Sequence, residues 1–282
     1  VTRGALLAAV ALTCGAAALP APAGAGEIEL RYAVHVGGLH VFDAVVDATL
    51  GANRYEMAVE ANSRGVADWL APYRGRSAVR GTLAAGAPRP EGYRSDRTFR
   101  GEGRTVTLGY AAGGAETRVE DRVEPAEARR DRDPVPDPMK PGTVDPLSAG
   151  LALLLRAGEA GRCGTDARVF DGLARYDLSA ADRGAARLAP TRYGVYAGEA
   201  RRCAVEHRML AGFWRGRPSA AAPSSAEEGR ERPPASVWLA PIGPGGLPIP
   251  VRAEAEGWFG AVVIHLVGAR GIDAAPVAGA AR

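Results

Sequence analysis

From Ile28 onward the chain alternates with a period of two, and this pattern decides the fold class. Ile28, Leu30, Tyr32, Val34 and Val36 share one parity; Glu29, Arg31 and His35 share the other. After Gly37-Gly38 the pattern repeats, with Phe42, Ala44, Val46, Ala48 and Leu50 against Asp43 and Asp47. After Gly51-Ala52-Asn53-Arg54 it returns once more, with Tyr55, Met57, Val59 and Ala61 against Glu56, Glu60 and Asn62. Strand side chains point alternately to opposite faces, so these runs predict an antiparallel meander with one buried and one wet face. Further strands are expected near 77–83, 93–100, 105–110, 117–123, 167–170, 175–178, 193–197, 200–209, 237–239, 251–255 and 258–267. The last of these is apolar on both faces, which places it centrally in the sheet or against a second layer.

Two helices interrupt the β pattern. Val66, Trp69 and Leu70 have helical spacing and predict a short helix that ends before Pro72. Asp145 is a good N-cap and Pro146 suits the first helical position. Leu147, Leu151, Leu154 and Leu155 follow at i, i+4, i+7 and i+8, and Gly158 or Gly161 closes the helix. A single apolar stripe implies that this helix packs on the sheet.

The beginning of the sequence reads as an export signal, residues 1–25. Ala5 to Ala18 carries no charge, is too short to span a bilayer, and is followed by Ala23-Gly24-Ala25 as a small-residue cleavage site. Cys14 lies inside that run after the bulky Thr13, a poor context for lipidation. Without it, the thiols left are Cys163 and Cys203. An even count behind an export signal predicts a disulfide and a periplasmic location. Closing a loop of 40 residues (203 − 163) removes unfolded-state entropy worth about 4 kcal/mol. The spacing lacks the CxxC or HxxxH pattern of a zinc site.

The remaining residues are expected to form one β-rich domain, 26–268, with flexible insertions at 124–144 and 216–235 and a tail at 269–282. Both insertions are rich in proline and charge. Among the 35 basic residues only Lys140 is lysine, glutamine is absent, and Asn53 and Asn62 are the only asparagines. Such usage reflects a GC-rich genome more than a need for cations. The net charge is only +3 and the signs are interspersed. No basic stripe with interleaved aromatics is present, which argues against nucleic acid as partner. No later run approaches the ~20 apolar residues of a membrane span, so no transmembrane segment is expected in the mature chain.

Several short motifs, taken in order, carry a resemblance. They are Trp69-Leu70-Ala71-Pro72-Tyr73, Arg97-Thr98-Phe99-Arg100, Asp145-Pro146-Leu147-Ser148, Cys163, Phe170-Asp171-Gly172, Arg175-Tyr176-Asp177-Leu178 and Cys203. Gly212-Phe213-Trp214, Val237-Trp238-Leu239-Ala240-Pro241 and Pro248-Ile249-Pro250-Val251-Arg252 complete the set. Over roughly residues 28–267 the chain resembles the exported bacterial family known as domain of unknown function 3108. The resemblance implies a mainly β fold: a curved, open antiparallel barrel or β-spiral, similar in shape to lipoprotein-carrier half-barrels. It supplies no catalytic residues and no cofactor.

The search for chemistry is correspondingly short. The sequence holds neither a Gly-x-Ser-x-Gly elbow nor a phosphate-binding Walker loop. Ser148 reads as support for the helix start rather than as a nucleophile. Asp171, Arg175 and Asp177 form a polar cluster, read as a hairpin turn followed by a cross-strand Arg/Asp pair. Trp214, Trp238 and Trp258 are core residues or, alternatively, the lining of an apolar ligand site in a β concavity. The leading expectation is a non-enzymatic envelope protein that binds a lipid, a lipoprotein segment or a peptide. A scaffold that binds a protein partner by sheet edges or loops is the alternative. An envelope hydrolase using Asp171, Asp177 or a histidine is the third.

Overall fold

The computed structural model describes residues 26–111, 116–124, 132–215, 233–257 and 260–273. The first wing of the sheet comprises β1 (Gly26–Val36), β2 (Leu39–Leu50), β3 (Arg54–Ser63), β4 (Tyr73–Ala84), β5 (Ala87–Phe99), β6 (Glu102–Tyr110) and β7 (Glu116–Glu124). The second wing comprises β8 (Gly164–Phe170), β9 (Arg175–Leu188), β10 (Gly198–Ala211), β11 (Ala235–Ala240), β12 (Ile249–Gly257) and β13 (Gly260–Arg270). Helix α1 (Gly65–Leu70) follows β3, and helix α2 (Pro146–Ala160) links the wings.

All these strands join one antiparallel sheet in the order β7-β6-β5-β4-β3-β2-β1-β13-β12-β11-β10-β9-β8. Each wing is a meander, and the first and last strands pair at the seam, Leu30 opposite Ala269 and Val34 opposite Ile264. The doubly apolar β13 therefore lies centrally. The sheet curls until its far parts meet: Tyr93, Val106 and Leu108 of the first wing share a core cluster with Leu151 of α2 and with Phe170, Leu173 and Ala211 of the second. At that meeting Gly172 has φ +90°, and a Cβ there would overlap Val106. Only glycine allows both the backbone angle and the approach.

The chain leaves β7 at one edge and enters β8 at the other, so the connection crosses the concave face, and α2 is that crossing. Its start is held by the Asp145 side chain, which accepts hydrogen bonds from the amides of Leu147 (3.0 Å) and Ser148 (2.9 Å). Gly161, in the left-handed region at φ 63°, ends it. Two residues later Cys163 is bonded to Cys203 of β10, with Cα atoms 5.7 Å apart. Leu153, Ala157, Ala180 and Leu239 pack round the bond.

Two expectations are corrected. The segment 124–144 is not a surface loop throughout: Val135 is buried, Met139 packs on the same core, and Val144 makes a parallel bridge to Val169. A few apolar residues among prolines are enough to cover the open side of the sheet. Strand β9 runs ten residues further than 178, to Leu188, through an alanine-rich stretch with little strand propensity. Its pairing with β10 and the burial of Ala180 against the disulfide decide its conformation. Residues 216–232 of the second insertion, and most of the tail, lie outside the described residues.

The bond between Cys163 and Cys203 closes a loop of 40 residues. Replacing both cysteines by alanine is expected to lower stability by about 2–4 kcal/mol, measured by urea denaturation.

Candidate functional site

The inward residues of β1 and β2, together with α2, do not fill the concavity. A cavity of about 430 Å³ remains between them, a size within the ~300–1,000 Å³ common for small-molecule sites. Its walls are Ile28, Leu30 and Val34 of β1, Ala44, Val46 and Ala48 of β2, and Leu147, Gly150 and Leu154 of α2, with Val237 and Ile264 from the second wing. The wall is aliphatic because the period-two pattern sends one parity inward. Tyr32 also lines it, but its hydroxyl donates to the Pro250 carbonyl at 2.9 Å, so the polar tip is satisfied and the ring faces the space. Burial raises the Tyr32 phenol well above its ordinary pKa, so it stays protonated.

Gly150 is the unexpected member of this lining. It sits inside α2, where glycine costs about 1 kcal/mol relative to alanine. A Cβ built on it meets nothing within 4 Å. The helix thus gives up propensity at the position where a side chain would occupy the cavity.

A buried polar chain fixes the start of α2 over this space. The Ser148 hydroxyl donates to Asp145, and the Tyr55 hydroxyl of β3 lies 2.7 Å from Ser148 Oγ. Burial pushes the Asp145 carboxyl above its ordinary range, while hydrogen bonds from Ser148 and Leu147 oppose the shift. Ser148 is therefore a structural hydroxyl between helix and sheet.

The polar cluster of the second wing is also held in place. The Asp171 carboxylate accepts from the amides of Leu173 (2.8 Å) and Ala174 (2.7 Å), closing the β8–β9 turn. Arg175, which is buried, lies 2.8 Å from Asp177 on the same strand, and Arg208 reaches Asp177 from β10 at 2.8 Å. Burial opposes ionisation of Asp177, but these arginines hold its carboxyl below the ordinary value. The structure separates Asp171 from Asp177 by function: one shapes a turn, the other is ion-paired.

Neither Trp214 nor Trp238 lines the cavity. Trp214 carries the Arg132 guanidinium over its ring at 4.2 Å. Trp238 is buried, with the guanidinium carbons of Arg202 and Arg252 at 5.4 and 5.5 Å from its ring centre. Trp258 lies outside the described residues. What sequence reasoning missed is that the wall is made by small and branched aliphatics. The signal available was the run Ala44, Val46, Ala48, whose small inward side chains leave volume unfilled.

The sequence matches the family model described as Protein of unknown function (DUF3108) over residues 31–267. The chain belongs to this family. This DUF3108 protein is also similar in fold to a solved structure, the beta-barrel-like protein of domain of unknown function DUF1849 from Brucella abortus. The TM-score is 0.50 at 8% identity, covering 88% of this chain and 98% of that one. No curated protein matches the sequence. Among the described residues, no helix is long and apolar enough to cross a membrane, and no group of three or more His, Cys, Asp or Glu side chains gathers as a metal site.

Three histidines do gather at the seam. The His35 ring lies 5.2 Å from His40 and 5.7 Å from His265, with Tyr193 against both His35 and His265. His35 and His265 are both lowered, first by burial and then by charged neighbours, His40 for the one and Arg252 for the other. With folded values below the ordinary ~6.5, the unfolded chain takes up these protons first. Stability is present above that value and is lost as pH falls through the folded values. The melting temperature is expected to drop between about pH 7.5 and 5.5, and His265→Gln should reduce that drop in the same thermal scan.

Proposed function

We propose that this protein is an exported, non-enzymatic carrier or receptor that takes an apolar chain into the cavity beneath α2. The chain would be the acyl part of a lipid or lipoprotein, or an apolar peptide segment. The reading rests on Gly150. A glycine inside a helix, over open aliphatic space, is a loss of stability that filling the cavity would recover, and vacancy is what a binding site requires. The uncharged run Ala5–Ala18 and the Cys163–Cys203 bond support export to the periplasm. Asp171 and Asp177 are engaged in a turn and in ion pairs, and Ser148 in the helix anchor, which supports a role without bond-breaking chemistry.

The test is to fill the space. Gly150→Phe is expected to weaken binding of a fluorescent fatty acid by at least about tenfold while folding is kept. Gly150→Ala should raise stability by about 0.5–1 kcal/mol. Unchanged binding by the phenylalanine variant, or no binding by the parent protein, would overturn the reading.

A second reading, as an interaction protein, is favoured by the rim at α1. Trp69 is 81% exposed, beside exposed Val66 and Leu70. Large apolar side chains standing in solvent mark contact sites. Trp69→Ser is expected to leave the melting temperature within about 1 °C, since the ring buries little, while pull-down of any envelope partner is lost. Retention of that partner would remove this reading.

A further inference from the structure

Helix α1 is amphipathic in the inverse sense. Its half-buried residues are Ala67 and Asp68, while Val66, Trp69 and Leu70, at i, i+3 and i+4, face solvent. The polar side is what holds the helix. The buried Ser63 hydroxyl donates to Asp68 Oδ1 at 2.6 Å and accepts from the Tyr73 amide at 2.8 Å. Arg74 donates to the same carboxylate oxygen at 2.6 Å, and Arg100 donates to the Leu70 carbonyl at 3.2 Å. Polar contacts beneath the helix thus fix its apolar stripe outward.

The tip of the β1–β2 hairpin extends this stripe. The Arg64 amide donates to the Val41 carbonyl at 2.8 Å, which sets α1 beside the exposed Leu39. Four of the six large apolar side chains exposed among the described residues, Leu39, Val66, Trp69 and Leu70, therefore project at one end of the sheet. Single exposed apolar residues are ordinary; a cluster marks a contact surface. The same end is where the cavity wall is least closed. Leu151, Leu239 and Ile249 of that wall are buried. Val36, Phe42 and Val262, which continue the inward parity of the seam past Val34 toward the hairpin tip, are only half-buried.

We infer that this end docks on the interfacial zone of an electroneutral lipid bilayer, where the cavity beneath α2 exchanges its apolar chain. The inference rests on the apolar-chain reading above. Size favours lipid over a protein partner: four projecting side chains fall short of the ~800 Å² that each partner buries in a stable protein interface. A bilayer asks for no complementary shape. Charge selects the kind of surface. Arg64 is bonded to Asp43, Arg74 to Asp68, and Arg100 stands across its turn from Glu102. A rim balanced in this way matches zwitterionic headgroups and gains little from an anionic surface. Trp69 suits the boundary, with its ring among acyl chains and its N–H among headgroups. A carrier docked by its open end passes the chain without exposing it to water.

The experiment takes the exported form of the protein and vesicles of dioleoyl phosphatidylcholine, alone or mixed with phosphatidylglycerol. The protein should float with the neutral vesicles, gain less than about twofold from the anionic lipid, and stay bound in high salt. Trp69→Ser should weaken flotation about tenfold or more. It should also slow transfer of a fluorescent fatty acid from vesicle to protein, while affinity for the same fatty acid in solution is unchanged. Trp69→Phe should keep flotation, and quenching of tryptophan emission by bromine-labelled acyl chains should be weaker in it than in the parent. Flotation that needs anionic lipid and is lost in salt overturns the docking surface. So does absent flotation with equal transfer rates in parent and Trp69→Ser, the outcome expected if the patch serves a protein partner. Both results leave the cavity reading standing when the fatty acid binds in solution. Failure of the fatty acid to bind in solution overturns the cavity reading and the exchange with it.

Discussion

The pairing of the first strand with the last is the constraint on which the architecture depends. With β1 against β13, each wing must grow outward from the seam, and the chain must pass from one free edge to the other in mid-sequence. That passage crosses the buried face. A connection there is stable only if its backbone groups are satisfied internally, which an α-helix does. The apolar stripe of α2 then turns toward the sheet, and the curled sheet needs the helix to cover its inner face.

The two ends of α2 are tied differently from its middle. Asp145, Ser148 and Tyr55 form a buried chain in which the donors find acceptors, and such networks fix geometry when they are fully satisfied. At the far end the sulfur bond to β10 restrains the chain just beyond Gly161. Between these anchors Gly150 and Leu154 stand over unfilled space. Two fixed ends and a sparing middle make a bridge over a cavity, where tighter packing would have made an ordinary core.

Much of the fold was legible because one physical signal, alternation, dominates β1 to β3 and both faces of β13. The helix start was legible because Asp145-Pro146 is a local capping signal whose action does not depend on tertiary context. Where small residues prevail, the reading failed. Ala180 to Leu188 has little intrinsic preference, and only pairing with β10 makes it a strand. Val135 and Met139 form too sparse a pattern to announce burial. The cavity was legible only as a suspicion about aromatic residues, whereas the wall is aliphatic. A void is the absence of side-chain volume, and sequence periodicity records which face a residue takes but not how much space it leaves.

The central seam also sets the order in which the molecule can assemble. Glu29 and Arg270 face each other across it, although 241 positions separate them along the chain. Contacts this distant form late and slow the search for the native state. As the polypeptide is delivered from its N-terminal side, the earlier meander can zip by local hairpins, but β1 keeps an open row of amides and carbonyls until the closing strand arrives. An unpaired edge beside apolar side chains invites association with other copies. This topology therefore concentrates the hazard of aggregation into the interval before the C-terminal hairpin docks.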